Sequence, residues 1–298
     1  MGKVGIFWDP KGITLDSLGT NQFLRATDGD TPYVSMSIRM LSIDTPELHY
    51  PGNTKPSKQN EPFLQLAEWI KAGKAPVQAE LAAVLYPKLQ TGNAGSLQED
   101  QGVKATEAFR DLVAEKLTNG NKKRSVYLHT ANEHFDQYGR LLAYMAPNYS
   151  QKERASMTAL ERATFNLLMV KAGWAATFPI YPSLPKHSDL VLLQASEKEA
   201  IETGKGIWSD PATLTGYEFR MCVKLHEITK KLVQGKKLSS SEKYSWISRF
   251  CVDMTSREIV YPQYYFKVQP YNRIFVWPED VTEAVGRLNL VPEDSGSS

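Results

Sequence analysis

Cysteine is nearly absent. The 298 residues contain two, Cys222 and Cys251, too few for a disulfide framework or a thiolate zinc site. A single bridge between them stays open, and two structural thiols are the expected state. No uncharged apolar run approaches the roughly 20 residues that a membrane helix needs, so no membrane partner is expected. The five histidines (His49, His129, His134, His187, His226) show no metal-ligand spacing. No G-x-S-x-G elbow supports Ser-His-Asp catalysis, and no P-loop supports a nucleotide cradle. Charge of one sign is missing too: 35 Lys+Arg stand against 33 Asp+Glu, so the chain is not a polycation. The opening MGKVGIFWDP carries a lysine but lacks the apolar stretch and cleavage pattern of a signal peptide. Ile6 stands where myristoylation of Gly2 would need Ser or Thr. The expected location is the cytoplasm, or secretion with a leader already removed.

What is present is globular: 42% hydrophobic, 23% charged and 10% aromatic residues. At about 150 residues per domain, the length allows one large or two small domains. Ile207-Trp208-Ser209-Asp210-Pro211 reads as the end of the first. The formal surplus of charge lies beyond it. From residue 211 on there are 12 Lys+Arg and 10 Asp+Glu, which leaves 23 of each before. Val34, Met36, Ile38 and Met40 alternate with polar residues, the period of a half-buried strand. Helices are predicted over 60–73, capped by Asn60 and stopped by Gly73, and after Pro76. The polar stretch 90–102 reads as a loop before a helix over 103–117. Strands are predicted at 125–129 and 141–145, and helices over 158–172, 188–203 and 217–233. Short strands are predicted at 247–252, 257–261, 264–268 and 273–277, followed by a last short helix.

Chemistry concentrates in two stretches. The first is Asp28-Gly29-Asp30, then Arg39, then Asp44-Thr45-Pro46-Glu47. Carboxylates are hard oxygen ligands suited to Ca²⁺ or Mg²⁺, Gly29 permits a tight turn, and Pro46 fixes the backbone before Glu47. The second is Asp136-Gln137-Tyr138-Gly139-Arg140, whose guanidinium is a planar donor to phosphate oxygens. Each alone has an ordinary reading, as a hairpin turn, a helix cap or a solvated charge. Their combination and order are distinctive.

That combination resembles the thermonuclease family, the staphylococcal-nuclease-like domain. Asn166–Ala175 and the run from Leu193 to Ser209 resemble its last two helices, so the resemblance covers roughly residues 20–210. It implies an α+β chain: a five-stranded OB-fold β-barrel with packed helices over 1–210, carrying a helical insertion at about 55–100. Residues 211–298 would form a small C-terminal α+β accessory module. It also implies a calcium-dependent nuclease acting on DNA and RNA, preferably single-stranded, that leaves 3′-phosphate and 5′-hydroxyl ends. Residue by residue, Asp30, Asp44 and the Thr45 carbonyl would hold Ca²⁺. Glu47 would act as general base, and Arg39 and Arg140 would neutralise phosphate charge. Asp28 would shape the turn, while Tyr138 and Tyr181 would contact nucleotide. The physical logic is that a cation and two guanidiniums offset the repulsion between hydroxide and an anionic phosphodiester.

The chain also departs from the family pattern. Only eight residues separate Asp30 from Arg39, fewer than the family's strand–hairpin–strand, so the second hairpin must be tightened or missing. Pro179 stands where the family has a second stacking tyrosine. The insertion reads as a packed accessory layer or a lid. In the tail, Tyr261 to Trp277 interleave with Lys267 and Arg273 beside the lysine run 230–243. That pattern fits an ordinary core or a base-stacking platform. A catalytically silent nucleic-acid-binding or scaffold protein on the same fold is the alternative function. Protein partners are not legible.

Overall fold

The computed structural model describes residues 21–292. The opening MGKVGIFWDP, with Gly2, lies outside them. An antiparallel hairpin of β1 (Phe23–Ala26) and β2 (Pro32–Val34) closes around Asp28-Gly29-Asp30 and is exposed along both strands. Next come β3 (Ile38–Met40) and β4 (Ile43–Asp44). The predicted strand 33–40 is thus broken in the middle, and among the described residues the hairpin pairs only with itself.

Three helices follow: α1 (Asn60–Lys71), α2 (Ala79–Leu89) and α3 (Ala94–Leu117). Phe63, Leu66, Leu81, Leu85 and Leu89 are fully buried, as the apolar spacing requires. Asn60 does not cap α1. Its side chain instead donates to Ser96 Oγ (2.7 Å) and accepts from Ser96 N–H (3.0 Å). The expected loop 90–102 is helical from Ala94. Its polar residues hid the helix because the buried face is made of Gln98, Gln101 and glycine rather than leucine.

A small hairpin, β5 (Thr118–Asn119) with β6 (Lys122–Lys123), leads to β7 (Val126–Phe135) and β8 (Leu141–Pro147). β8 is central in a three-stranded sheet, parallel to β3 with Arg39 opposite Leu142 and antiparallel to β7. Then come α4 (Gln151–Ser156), α5 (Phe165–Lys171), β9 (Ala176–Thr177) and α6 (His187–Glu202). The predicted helix 158–172 keeps only its second half. β9 pairs with β4, setting Ala176 opposite Asp44. A second core gathers Ile43, Ala105, Leu167, Val170 and Leu193. The architecture is α+β, but among the described residues the strands form five separate sheets and no closed five-stranded barrel.

Beyond residue 210 lie α7 (Gly216–Val233), α8 (Ser240–Tyr244), β10 (Phe250–Asp253), β11 (Glu258–Val260), β12 (Arg273–Val276), α9 (Val281–Leu288) and β13 (Val291–Pro292). The strands form one sheet in the order β12-β10-β11-β13. The strand predicted at 264–268 is replaced by a 3-10 helix, Pro262–Lys267, that buries Tyr265 completely. Cys222 and Cys251 are free, buried thiols.

The largest core joins the insertion to this C-terminal part. Phe63, Leu66, Leu81 and Leu85 pack with Phe219, Cys222, Leu225, Cys251, Val260 and Phe275 in one cluster. Polar bonds cross the same seam. Lys88 Nζ donates to Thr213 O (2.8 Å) and to Glu218 Oε2 (3.3 Å), and Gln101 Nε2 donates to Thr213 Oγ1 (2.7 Å). Most tail aromatics belong to this core, while Tyr261 is 65% exposed.

Candidate functional site

The reversal between β3 and β4 builds the centre. Ser42 occupies the left-handed region (φ 60), and its hydroxyl lies 2.6 Å from that of Tyr144. The turn brings Arg39 Nη2 within 2.9 Å of Asp44 Oδ1. Asp44 is 1% exposed, because β4 is covered on its far side.

Helix α3 supplies part of that cover. With its amide turned so that each end meets a partner, Gln98 donates to Leu214 O (2.9 Å) and accepts from Glu47 N–H (2.7 Å). At Gly102 a Cβ would stand 2.7 Å from the Glu47 carbonyl oxygen, so a larger residue would displace the Thr45–Leu48 segment. The insertion therefore positions the Asp44–Glu47 motif, whatever else it does.

Helix α7 supplies the rest. A reciprocal cap of Thr215 and Glu218 starts it. At Gly216 a Cβ would lie 2.4 Å from Thr45 O and 2.6 Å from Asp44 Oδ2, so the helix start sits directly on the motif. One turn later Arg220 enters the centre. Its Nη2 donates to Asp44 Oδ1 (3.0 Å) and Oδ2 (2.9 Å), and its Nη1 donates to Glu47 Oε1.

The electrostatics follow from this pairing. Burial alone would raise the Asp44 pKa, but Arg220 and then Arg39 hold it below its ordinary value. For Glu47 burial outweighs the same Arg220, leaving its pKa raised, with Asp44 adding repulsion. Burial would lower the Arg220 pKa, but Asp44 and Glu47 more than reverse it. Arg249 lies within the field of Arg220, Asp44 and Arg39. It stacks on Trp277 with its guanidinium 3.9 Å from the ring centroid.

Arg140 arrives from the other side. Asp136 Oδ1 accepts from the Tyr138 and Arg140 N–H groups (2.9 and 3.0 Å), and Oδ2 accepts from Arg140 Nε (2.7 Å). The turn is therefore self-supporting. Arg39 and Arg140 line one cleft of about 240 Å³ with Ile38, Thr45, Thr106 and Phe109. Their side chains are 34% and 40% exposed, enough to reach a ligand.

Arg39, Asp44, Thr45, Glu47 and Arg140 thus come together, and Tyr138, 71% exposed, sits beside Arg140. Asp30 does not join them. It remains on the exposed hairpin, accepting from the Thr31 hydroxyl (3.3 Å). Asp28 accepts from the Asp30 N–H (3.4 Å) in the same turn. Tyr181 is buried against Val252, Ile274 and Val276, and its N–H donates to Phe275 O (2.9 Å). Its ring has no open face to offer a base. Among the described residues no group of three or more His, Cys, Asp or Glu is placed to hold a metal ion.

These residues as placed do not fit Ca²⁺, which takes six to eight oxygens from an anionic cage. Asp44 and Glu47 are matched by Arg39 and Arg220, Arg249 lies in the field of Asp44, and Gly216 crowds the Thr45 carbonyl.

Arg220 is the functional residue that motif reading missed. A signal existed: it stands between Phe219 and Met221-Cys222 on a predicted helix, and an arginine drawn into a core among such apolar neighbours demands anions. What could not be read was which anions.

No curated protein matches the chain. The family model for staphylococcal nuclease homologues matches residues 37–210, beginning after the Asp28–Asp30 turn and ending before α7. That match spans more than half of the 298 residues and contains the Arg39, Asp44–Glu47 and Arg140 positions just described, so the chain belongs to the staphylococcal nuclease homologue family.

Proposed function

We propose that this chain binds the phosphodiester backbone of single-stranded nucleic acid in the Arg39–Arg140 cleft, without calcium-dependent cleavage. The family suggests a nuclease or a nucleic-acid-binding protein, and its nucleases generally use Ca²⁺. The observation that carries the binding reading is two part-exposed guanidiniums, one from β3 and one from the turn just before β8, on one cleft. Guanidiniums hold phosphate oxygens in a planar, two-pronged way. Arg220 and Arg249 nearby leave the surroundings of Asp44 and Glu47 net positive, which favours an anionic strand. Flexible single strands reach such a cleft more readily than a duplex, and Tyr138 stands ready at its edge to stack on a base.

The second reading is the calcium-dependent nuclease. It is favoured by the presence together of Arg39, Asp44, Thr45, Glu47 and Arg140, and it requires Arg220 to vacate the carboxylates. Fluorescence anisotropy with a labelled single-stranded oligonucleotide, across a salt series, tests the first reading. Binding that falls with salt and is weakened by Arg39→Ala and Arg140→Ala is the expected result. Affinity unchanged in both variants would refute it. Cleavage of the same oligonucleotide in Ca²⁺ but not in chelator would establish the second.

A further inference from the structure

Arg220 has an unusual setting for a cation. Its neighbours Phe219, Met221 and Cys222 are buried in the largest core, and its own side chain is 23% exposed. A guanidinium withdrawn from water costs several kcal/mol unless anions and hydrogen bonds replace the solvent. Here they do. One nitrogen spans both oxygens of Asp44 and another reaches Glu47. A single cation thus bridges two carboxylates, the arrangement a metal ion would otherwise provide.

We infer that Arg220, contributed by the C-terminal helix α7, is the built-in cation of the Asp44–Glu47 pair, and that this centre takes no divalent metal ion. Charge supports this: the two carboxylates face Arg39 and Arg220, two cations for two anions, so no negative charge is left over to attract a dication. Crowding supports it as well. Gly216 stands so close to Thr45 O and Asp44 Oδ2 that even a methyl group would not fit.

The helix that carries Arg220 is also fixed in place. Thr215 and Glu218 cap its helix reciprocally. Glu218 is tied to Lys88 (3.3 Å) and to the Tyr265 hydroxyl (2.9 Å). Phe219 and Cys222, flanking Arg220, are fully buried. Withdrawing the guanidinium by moving α7 would open the core shared with α1 and α2. The C-terminal segment therefore completes the family domain from within. This holds whether or not nucleic acid binds in the neighbouring cleft.

The test uses the full chain and calcium chloride alone. Calorimetric titration runs to about 10 mM, past the ~10⁻⁴–10⁻³ M of weak calcium modules. Thermal unfolding is compared in calcium and in chelator at equal ionic strength. The expected result is no saturable heat and an unchanged Tm. Saturable heat that Asp44→Asn abolishes overturns the inference.

A double-mutant cycle supplies the second readout. Arg220→Gln and Asp44→Asn should each lower Tm by about 6–12 °C. The double variant should be little worse than either, because each single change already breaks the same pair. Strictly additive shifts would overturn the inference. Should Arg220→Gln fail to fold, Arg220→Lys takes its place in the cycle. It keeps the charge but loses the planar fork, and the titration of the unaltered chain still decides.

Discussion

Two acidic segments of one recognisable pattern meet opposite fates. Asp28-Gly29-Asp30 lies on a hairpin exposed along both strands, with its carboxylates bonded inside the turn. Asp44–Glu47 lies beneath α3 and α7, with Asp44 1% exposed and gripped by two guanidiniums. The residue types are the same, and their cover is not. A carboxylate in water is held by water. A carboxylate in a core must find a cation or give up its charge.

The strongest way to break this contrast is to remove the cover. A chain ending at Asp210 loses α7 and the C-terminal sheet, and so exposes Phe63, Leu66, Leu81, Leu85 and Leu89, which are fully buried in the intact chain. The expected outcome is loss of the cooperative fold, read as a missing thermal transition in circular dichroism and aggregation on gel filtration. A monomeric, cooperatively melting product would show that the family domain stands alone.

Next in size is a direct comparison of the two segments. Removing one partner of a buried ion pair costs about 3–5 kcal/mol, so Asp44→Asn should unfold at clearly lower urea than the unaltered chain. Asp30→Asn should not shift the midpoint at all. Equal effects from the two substitutions would erase the distinction.

A third carboxylate sharpens it. Glu197 is fully buried on α6, and burial pushes its pKa up to about 7, only partly offset by the Thr177 hydroxyl and N–H. Its main partners are neutral donors, so it keeps its proton where Asp44 does not. The folded chain then binds a proton between the ordinary value of 4.5 and about 7 that the unfolded chain has released. Its contribution is full below 4.5 and lost as pH rises through 7, by up to about 3 kcal/mol. Glu197→Gln should remove that slope from urea melts taken across the window. Asp44 works in the opposite sense: with its pKa below 3.8, its contribution is lost as pH falls. A Glu197→Gln chain with the original slope would assign the slope elsewhere.

The smallest effect concerns the open side of the site. Arg140→Ala removes a part-exposed pair with Asp136, the kind of pair typically worth about 0.2–1 kcal/mol, so Tm should barely move. Oligonucleotide affinity should fall, and the salt slope should shrink by about 0.7 for one lost phosphate contact on a single strand. An unchanged slope would remove Arg140 from the cleft's function.

Much of this was written locally. The apolar spacing of α1 and α2, the Gly73 stop, and the strands predicted at 125–129 and 141–145 depend on short-range periodicity and turn chemistry, which a linear chain displays; the first of these strands runs on to Phe135. The same is true of Arg39, Asp44, Glu47 and Arg140, whose order and spacing carried the family. Helix 94–102 was hidden because its buried face is polar, satisfied by Thr213, Leu214 and the Glu47 backbone, partners that no local pattern reveals. Tyr181 read as a stacking residue because its place in the chain is right. Only the packing of β12 shows that its ring is spent on a core.

The α+β class, the family and the four charged positions were legible along the chain, since each rests on short motifs that keep a fixed order. Tertiary structure alone decided what those charges face. Arg220 lies 176 positions beyond Asp44 in the chain, and it arrives only because α7 must bury Phe219, Cys222 and Leu225 against α1 and α2. That hydrophobic requirement is non-directional and long-range. It carries a cation into the carboxylate pair, and so settles by packing a question that the motif, read as a string of residues, leaves open.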